Sequence, residues 1–361
     1  MYVKRRQFHF SRNQLMTGAR ADVGTEWGDP LGIRKSTLEE VAAAAGVSKM
    51  TVSRALRGAP DVSAETRQRV LKATEQLGYV GNQLALSLSS RRTNLVAVVV
   101  PSMSNIVFPE VLAGISTGLE GSGMQAVFGL SDYDTRKERD VIRDMLSWRP
   151  SAIIVTGLDQ PEDTVKMLRS AAIPVIQIMD LDGTPIDFNV GLSHGKAGEE
   201  MARALIAAGR RRFGYVGSVL QRDLRAAKRK AGFERVLLEH RLAFVGQRLG
   251  DTLSSVGLGK YLTHDLLRAE PNLDCIYYSN DDMAVGGAFA GMEASRTDDI
   301  LMAGFNGLEL AAALPVRIAT SKSPRRMIGE VAARLARGSM VTDVPSSGKI
   351  TAFVPEIIGI E

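Results

Sequence analysis

TLEEVAAAAGVSKMTVSRALRGAPDVSAETRQRVLKATEQLGYVGNQLALSL, Thr37 to Leu88, decides how this chain is read. Thr37 followed three residues later by Glu40 is a capping box, and Leu38, Val41, Ala42 and Ala45 then fall on one apolar helical face. Gly46 stops that helix, Val47 plugs the corner, and Ser48 is placed to cap the next helix. A second helix follows with Val52, Ala55 and Leu56 inward. A third has Val70, Ala73 and Leu77 inward and Gly78 as its stop. Two short helices across a glycine turn, closed by a third, make a helix-turn-helix unit. The final piece, Asn82 to Leu88, holds about two helical turns, too few to be stable in water without a partner surface.

The inward set of the second helix leaves Lys49, Met50, Ser53, Arg54 and Arg57 outside. In a helix-turn-helix the N-terminal end of the second helix enters the major groove. There Lys or Arg hydrogen-bonds guanine, and an apolar side chain touches the thymine methyl. Lys49, Met50 and Arg54 are therefore expected to read bases. Ser48, Thr51, Ser53, Ser63 and Thr66 stand near helix starts and suit phosphate contacts that set register. Charge agrees: residues 1–92 hold fifteen Lys/Arg against eight Asp/Glu, a balance of +7 where the whole chain carries +5, so the remainder is −2. A locally basic segment attracts phosphate backbone.

Residues 1–35 show neither helical nor strand period and read as a flexible arm or a mis-assigned start. Residues 36–80 form the head and 81–93 a linker; the core occupies 94–361. From Leu95 the chain alternates apolar strands with amphipathic helices. Strands are expected at 95–101, 125–130, 152–157, 174–180, 213–218, 275–280 and 300–305. Continuous apolar strands separated by helices imply parallel sheets covered on both faces. About 260 residues of this pattern is long for one sheet, so the α/β core is expected to be two doubly wound lobes with a ligand crevice at the carboxyl ends of the strands.

Other chemistries find little support. No apolar run approaches the roughly 20 residues of a membrane helix, and the N-terminal residues lack the apolar region of a secretory signal. One cysteine, Cys275, leaves no internal disulfide or cysteine zinc site and fits a reducing cytoplasm. The four histidines have no metal-ligand spacing. Gly257 to Lys260 fails as a phosphate loop because Tyr261 follows the lysine, and Gly121 and Gly123 precede a strand rather than follow one. No catalytic residue, cofactor or metal is expected. A sugar-binding carrier sharing the two-lobed core is the main alternative.

Together AGVSKMTVSRAL, VSAETRQRV, LGY and the NxxAxSL connector resemble the lactose/galactose-repressor (LacI-type) family of bacterial transcription regulators, and the likeness continues through IPVIQIMD, SNDDMAVGGAF and MAGFNG. KMTVSR, MLSW, IPVIQIMD and NDDMAVG look most like repressors of gluconate-type sugar-acid operons. The resemblance implies a cytoplasmic homodimer on double-stranded operator DNA, with a periplasmic-binding-protein-like core that senses a small sugar or sugar acid. It implies a hinge helix that wedges Leu88 into the minor groove beside Ala85, and a backbone contact from Tyr79. Gly81 stands where the family usually has proline and Leu86 where it has arginine, which implies a looser hinge. Matching the family's ligand positions gives Phe108, Asp180, Asn280 and Asp281, with Asp281 as acceptor for sugar hydroxyls and Asp282 as a helix cap. Arg225 is the expected cation for an acidic effector, seven residues before Gly232. Arg222 and Arg229 are alternatives, and Ala227 occupies the commoner arginine position. Ser193-His194 replaces an Asp-Asn pair usual in the family.

Overall fold

A computed structural model describes residues 36–79, 93–104, 107–338, 346–347 and 349–360. The chain divides into two units, within Met1–Asn82 and Gln83–Glu361.

In the first unit α1 (Leu38–Ala45), α2 (Lys49–Leu56) and α3 (Ala64–Gln76) pack around Val41, Ala42, Ala45, Val52, Ala55, Val70 and Ala73. Both bonds of the Thr37–Glu40 capping box form, and Gly46 turns the chain at φ 65°, where an L side chain would be strained. Seven small residues make a small core, so the helix caps matter to this unit more than usual. Leu77 departs from expectation. It caps α3 and is 36% exposed rather than buried.

In the second unit, one lobe is built on β1 (Leu95–Val100), β2 (Gln125–Leu130), β3 (Ala152–Thr156), β4 (Val175–Ile178) and β5 (Phe188–Gly191), flanked by α4 (Val107–Leu119), α5 (Thr135–Ser147) and α6 (Glu162–Ser170). The other carries α7 (His194–Ala207), β6 (Phe213–Gly217), α8 (Leu224–Glu239), β7 (Phe244–Leu249), α9 (Val256–Ala269), β8 (Cys275–Tyr278), α10 (Asp281–Glu293), β9 (Leu301–Asn306), α11 (Glu309–Ala313) and β10 (Ile318–Lys322). The chain then returns through α12 (Arg325–Ala336), β11 (Ser346–Ser347) and β12 (Ile350–Ala352) to the first lobe and ends in β13 (Glu356–Ile358) in the second. Strand order is β11-β12-β5-β4-β3-β1-β2 in one sheet and β13-β10-β9-β8-β6-β7 in the other. Pairing is parallel except at β11/β12 and β10/β13.

All seven expected strands are present. The central ones, such as LVAVVV and AIIVT, are buried almost throughout because helices cover both faces. The chain passes between lobes three times, after β5, after β10 and after β12.

Reciprocal glycines let three helix pairs approach closely. A Cβ on Gly198 of α7 would lie 2.0 Å from Arg229 O of α8, and one on Gly232 of α8 would lie 2.0 Å from Gly195 O. Gly114 with Gly329 does the same for α4 against α12, and Gly259 with Gly286 for α9 against α10. The first of these pairs fixes where α8 lies, and with it the side chains that α8 sends toward the strand ends.

Candidate nucleic-acid interface and ligand cleft

The head presents two capped helix starts. Ser48 accepts from Thr51 N at 3.1 Å, and Ser63 accepts from Thr66 N at 3.2 Å. Each serine also meets the threonine hydroxyl, at 2.9 Å in both cases. These hydroxyls cap their helices, and the unpaired N–H groups and helix dipole beside them make anion-ready ends. Lys49, Met50 and Arg54 are exposed, Met50 by 70%, while Thr51 and Ser53 are half-buried. An apolar side chain this open contributes nothing to the head's own core. Lys49 is paired with Glu39, and Arg54 with Asp61. Both pairs are about half exposed, and exposed pairs are worth only about 0–1 kcal/mol, so a DNA base or phosphate can displace the carboxylate cheaply. Tyr79 is half-buried and packs against the head core. Ala85 and Leu88 lie outside the described residues.

In the second unit a cleft opens where the carboxyl ends of the strands face one another. It is lined by Val107, Phe108, Tyr133, Met179, His194, Asp223, Arg225, Arg229, Asn280, Phe305 and Asn306. Tyr133 and Asp223 continue into a hydroxyl-rich recess with Ser102, Ser104, Ser218, Ser254, Ser255 and Asp282. Tyr133 and Arg225 also border a third recess containing Glu138, Asp159, Gln160 and Arg222. Three of the lining residues, Tyr133 (φ 57°), Met179 (φ 70°) and Asn306 (φ 123°), are non-glycine residues at positive φ. Backbone strain of this kind gathers at functional sites.

Asp223 caps α8 by accepting from Ala226 N at 3.1 Å, which fixes the start of the helix. Arg225 and Arg229 then sit one turn apart on the face toward the cleft. The Arg225 guanidinium lies 5.9 Å from the centroids of both Phe108 and Tyr133. Arg229 is 5% exposed, with its guanidinium 4.1 Å from the Phe305 centroid and Nη2 donating to Ser279 O at 2.6 Å. Its Nη1 is 2.9 Å from His194 Nδ1, and His194 Nε2 is 2.7 Å from Met179 O. Burial, then the charges of Arg229 and Arg225, push the His194 pKa well below the usual histidine range. The ring is therefore neutral. Among the described residues neither Arg225 nor Arg229 makes an ion pair with a carboxylate.

Of the five expected effector residues, the structure brings Phe108, Arg225 and Asn280 together in the cleft. Asn280 also caps α10 by accepting from Met283 N, and its Nδ2 donates to Ser254 Oγ at 2.7 Å. The other two, Asp281 and Asp180, are not among the residues lining the cleft and are held by protein partners. The Asp281 side chain is fully buried and its Oδ2 accepts from Leu308 N at 2.8 Å and Thr320 Oγ1 at 3.0 Å, which ties α10 to β10 and the residues after β9, while its Oδ1 has no hydrogen-bond partner among the described residues; Asp282 borders the hydroxyl-rich recess. Asp180, also fully buried, pairs with Lys228 Nζ at 2.6 Å, and Lys228 reaches Asp159 at 3.0 Å as well. That cluster joins the two lobes beside the cleft, and both Asp180 oxygens have protein partners, Oδ1 accepting from Asp182 N at 2.9 Å and Oδ2 from Lys228. Arg222 donates to the Asp132 and Tyr133 carbonyls across the same gap. Arg229, named only as an alternative, is the most buried cation of the cleft. His194, Tyr133 and Asn306 were not expected as lining residues. The rule that ligands sit at strand carboxyl ends would have nominated Asn306, the last residue of β9.

Among the described residues no helix is long and apolar enough to cross a membrane, and no cluster of potential metal ligands occurs.

Residues 37–82 match the family described as bacterial regulatory proteins, lacI family, and residues 96–323 match the periplasmic binding protein domain. The chain is 38% identical over 305 residues to the HTH-type transcriptional regulator GntR of Pseudomonas aeruginosa, covering 83% of this chain and 88% of that protein. It is 32% identical over 302 residues to the HTH-type transcriptional regulator IdnR of Escherichia coli, covering 83% and 90%. Among solved structures, a LacI family transcriptional regulator from Silicibacter pomeroyi superposes with a TM-score of 0.83 at 44% identity, covering 90% of this chain and 98% of that one. The lac repressor dimer bound to operator and the anti-inducer ONPF gives a TM-score of 0.75 over 90% and 98% at 22% identity, a likeness of fold.

Proposed function

Because this chain belongs to the lacI family, and is a DNA-binding transcriptional regulator rather than an enzyme, we propose that it represses a sugar-acid utilisation operon and releases its operator when an anionic effector such as gluconate fills the cleft. The observation that carries the effector reading is the pair of guanidiniums, Arg225 and Arg229, in a polar and aromatic cleft: Asp223 lines the same cleft and lies near Arg225, but among the described residues neither arginine forms a direct ion pair. Arginine cannot lose its proton, so the two guanidiniums are fixed positive charges against the one carboxylate of the lining, Asp223, and a carboxylate ligand meets them with paired N–H donors. The serine-rich recess beside it supplies donors and acceptors for hydroxyls, as a polyol chain needs. The named relatives GntR and IdnR are HTH-type transcriptional regulators, in keeping with the regulatory part of the reading.

On the DNA side, Lys49, Met50 and Arg54 read base edges. Ser48, Thr51, Ser53, Ser63, Thr66 and Tyr79 fix register on the backbone, and Ala85 and Leu88 form the minor-groove wedge. The active species is a homodimer, each subunit reading one half-site of a pseudo-palindrome. The effector favours one arrangement of the lobes over another, and a coupling of about 1–3 kcal/mol, roughly 5–150-fold, is enough for a switch. The head at residues 37–82 separates this chain from a carrier built on the same core. Titrating the protein–operator complex with gluconate and related hexonates tests the effector. Release by one of them is expected, and no release by any of them removes the sugar-acid part.

A further inference from the structure

We propose that His194 determines the charge preference of the cleft: its neutral ring anchors Arg229 without neutralising it, and so leaves the guanidinium charge for an anionic ligand. The proposal rests on the effector reading above and assigns the residue that makes it possible.

The partners of the ring force its tautomer. Met179 O, 2.7 Å from Nε2, can only accept, so Nε2 carries the hydrogen. Arg229 Nη1, 2.9 Å from Nδ1, can only donate, so Nδ1 offers its lone pair. A protonated ring would set an N–H against a guanidinium in a site with no exposure to speak of; His194 is 1% exposed. Among the described residues the other groups on Arg229, the Tyr277 hydroxyl included, are also uncharged. Nη2 donates to Ser279 O, the plane lies on Phe305, and Nε has no hydrogen-bond partner among the described residues. A buried guanidinium held entirely by neutral acceptors keeps its full charge, at a desolvation cost that an anion in the cleft would offset. A carboxylate at position 194 would make the same hydrogen bond and cancel the charge.

His194→Asn and His194→Asp are nearly isosteric and either can present an oxygen near the position of Nδ1; they differ in charge and in the amide N–H that only Asn can offer to Met179 O. Calorimetric titration of the full-length protein with D-gluconate and with D-glucitol, its neutral alcohol counterpart, separates the roles. The wild type is expected to prefer gluconate, His194→Asn to keep the preference, and His194→Asp to lose gluconate binding at least tenfold while glucitol changes little. Wild-type preference persisting in His194→Asp, loss of it in His194→Asn as deep as in His194→Asp, or equal binding of both ligands by the wild type would overturn the proposal.

If the wild type binds neither ligand, the sugar-acid reading fails by itself and thermal denaturation of the ligand-free protein decides the role of His194. The Asp variant is then expected to melt above the Asn variant, and the difference to vanish in an Arg229→Met background. Equal melting, or a difference that survives Arg229→Met, would show that position 194 does not govern the charge of Arg229.

Discussion

Replacing Lys228 with methionine should destabilise the two-lobed core in a way that grows with pH. Lys228 Nζ lies 2.6 Å from an Asp180 carboxylate with no exposure, 3.0 Å from Asp159 and 3.4 Å from Asp182 O. Removing one partner of a fully buried pair costs about 3–5 kcal/mol. Lys228 keeps 21% of its side-chain exposure and Asp159 35%, so water softens the loss. The expectation at pH 7 is therefore about 2–3 kcal/mol. Asp180 sets a ceiling: it can take up a proton instead, which at pH 7 costs about 4 kcal/mol against a free carboxyl.

The sign follows from that proton. Burial already raises the Asp180 pKa and Lys228 opposes the rise; without the lysine it climbs further. A carboxyl with a raised folded-state pKa stabilises at low pH, and that contribution is lost as pH rises above the unfolded value toward the folded one. Urea unfolding followed by far-ultraviolet circular dichroism at pH 5 and pH 7 should show a markedly smaller loss at pH 5. Lys228→Met with Asp180→Asn should recover most of the stability at pH 7. An equal loss at both pH values, or no recovery in the double variant, would refute the reasoning.

Three further outcomes follow from the same structure. Arg54→Ala should weaken operator binding by about 1–3 kcal/mol and relax sequence preference, while thermal stability stays within about 0.5 kcal/mol because the Arg54–Asp61 pair is half exposed. Gly198→Val should lower the unfolding free energy by about 3 kcal/mol or more, since its Cβ would fall 2.0 Å from Arg229 O, and a calorimetric melt within a degree of wild type would contradict the close helix approach. Because His194 is buried neutral with a depressed pKa, the wild type should lose up to about 1.4 kcal/mol per pH unit as pH falls below about 6.5, where the unfolded state binds the proton and the folded state does not. His194→Asn should lack that slope in unfolding titrations between pH 5 and 7.

Much of the fold was legible because its signals are local. Capping residues at Thr37, Ser48 and Ser63, a left-handed glycine at Gly46 and a run of buried apolar strands each announce themselves within a few residues. The strands that escaped notice are those whose burial is partial or polar. β7 is an edge strand with alternating exposure that carries Gly246, Gln247 and Arg248. β10 buries Thr320 and Ser321, with Thr320 serving Asp281 and Gly307 N.

The cleft divides the same way. Arg225 and Arg229 at helical spacing after the Asp223 cap could be placed on one face from sequence. The fate of a carboxylate could not. One oxygen of Asp281 serves Leu308 and Thr320, 27 and 39 residues away, and one oxygen of Asp180 serves Lys228, 48 residues away. A polar side chain at a strand end is equally suited to a ligand or to a clamp, and only the tertiary fold decides which.

Operator affinity of wild type and Arg229→Met, each with and without saturating gluconate at one fixed salt concentration, tests most directly whether the cleft governs the head. Wild type should bind its own promoter in preference to random duplex and lose roughly 5–150-fold in affinity on adding gluconate, while Arg229→Met binds the promoter equally well in both conditions. A wild type that does not distinguish its promoter from random duplex, or an Arg229→Met variant that responds to gluconate as the wild type does, would contradict it.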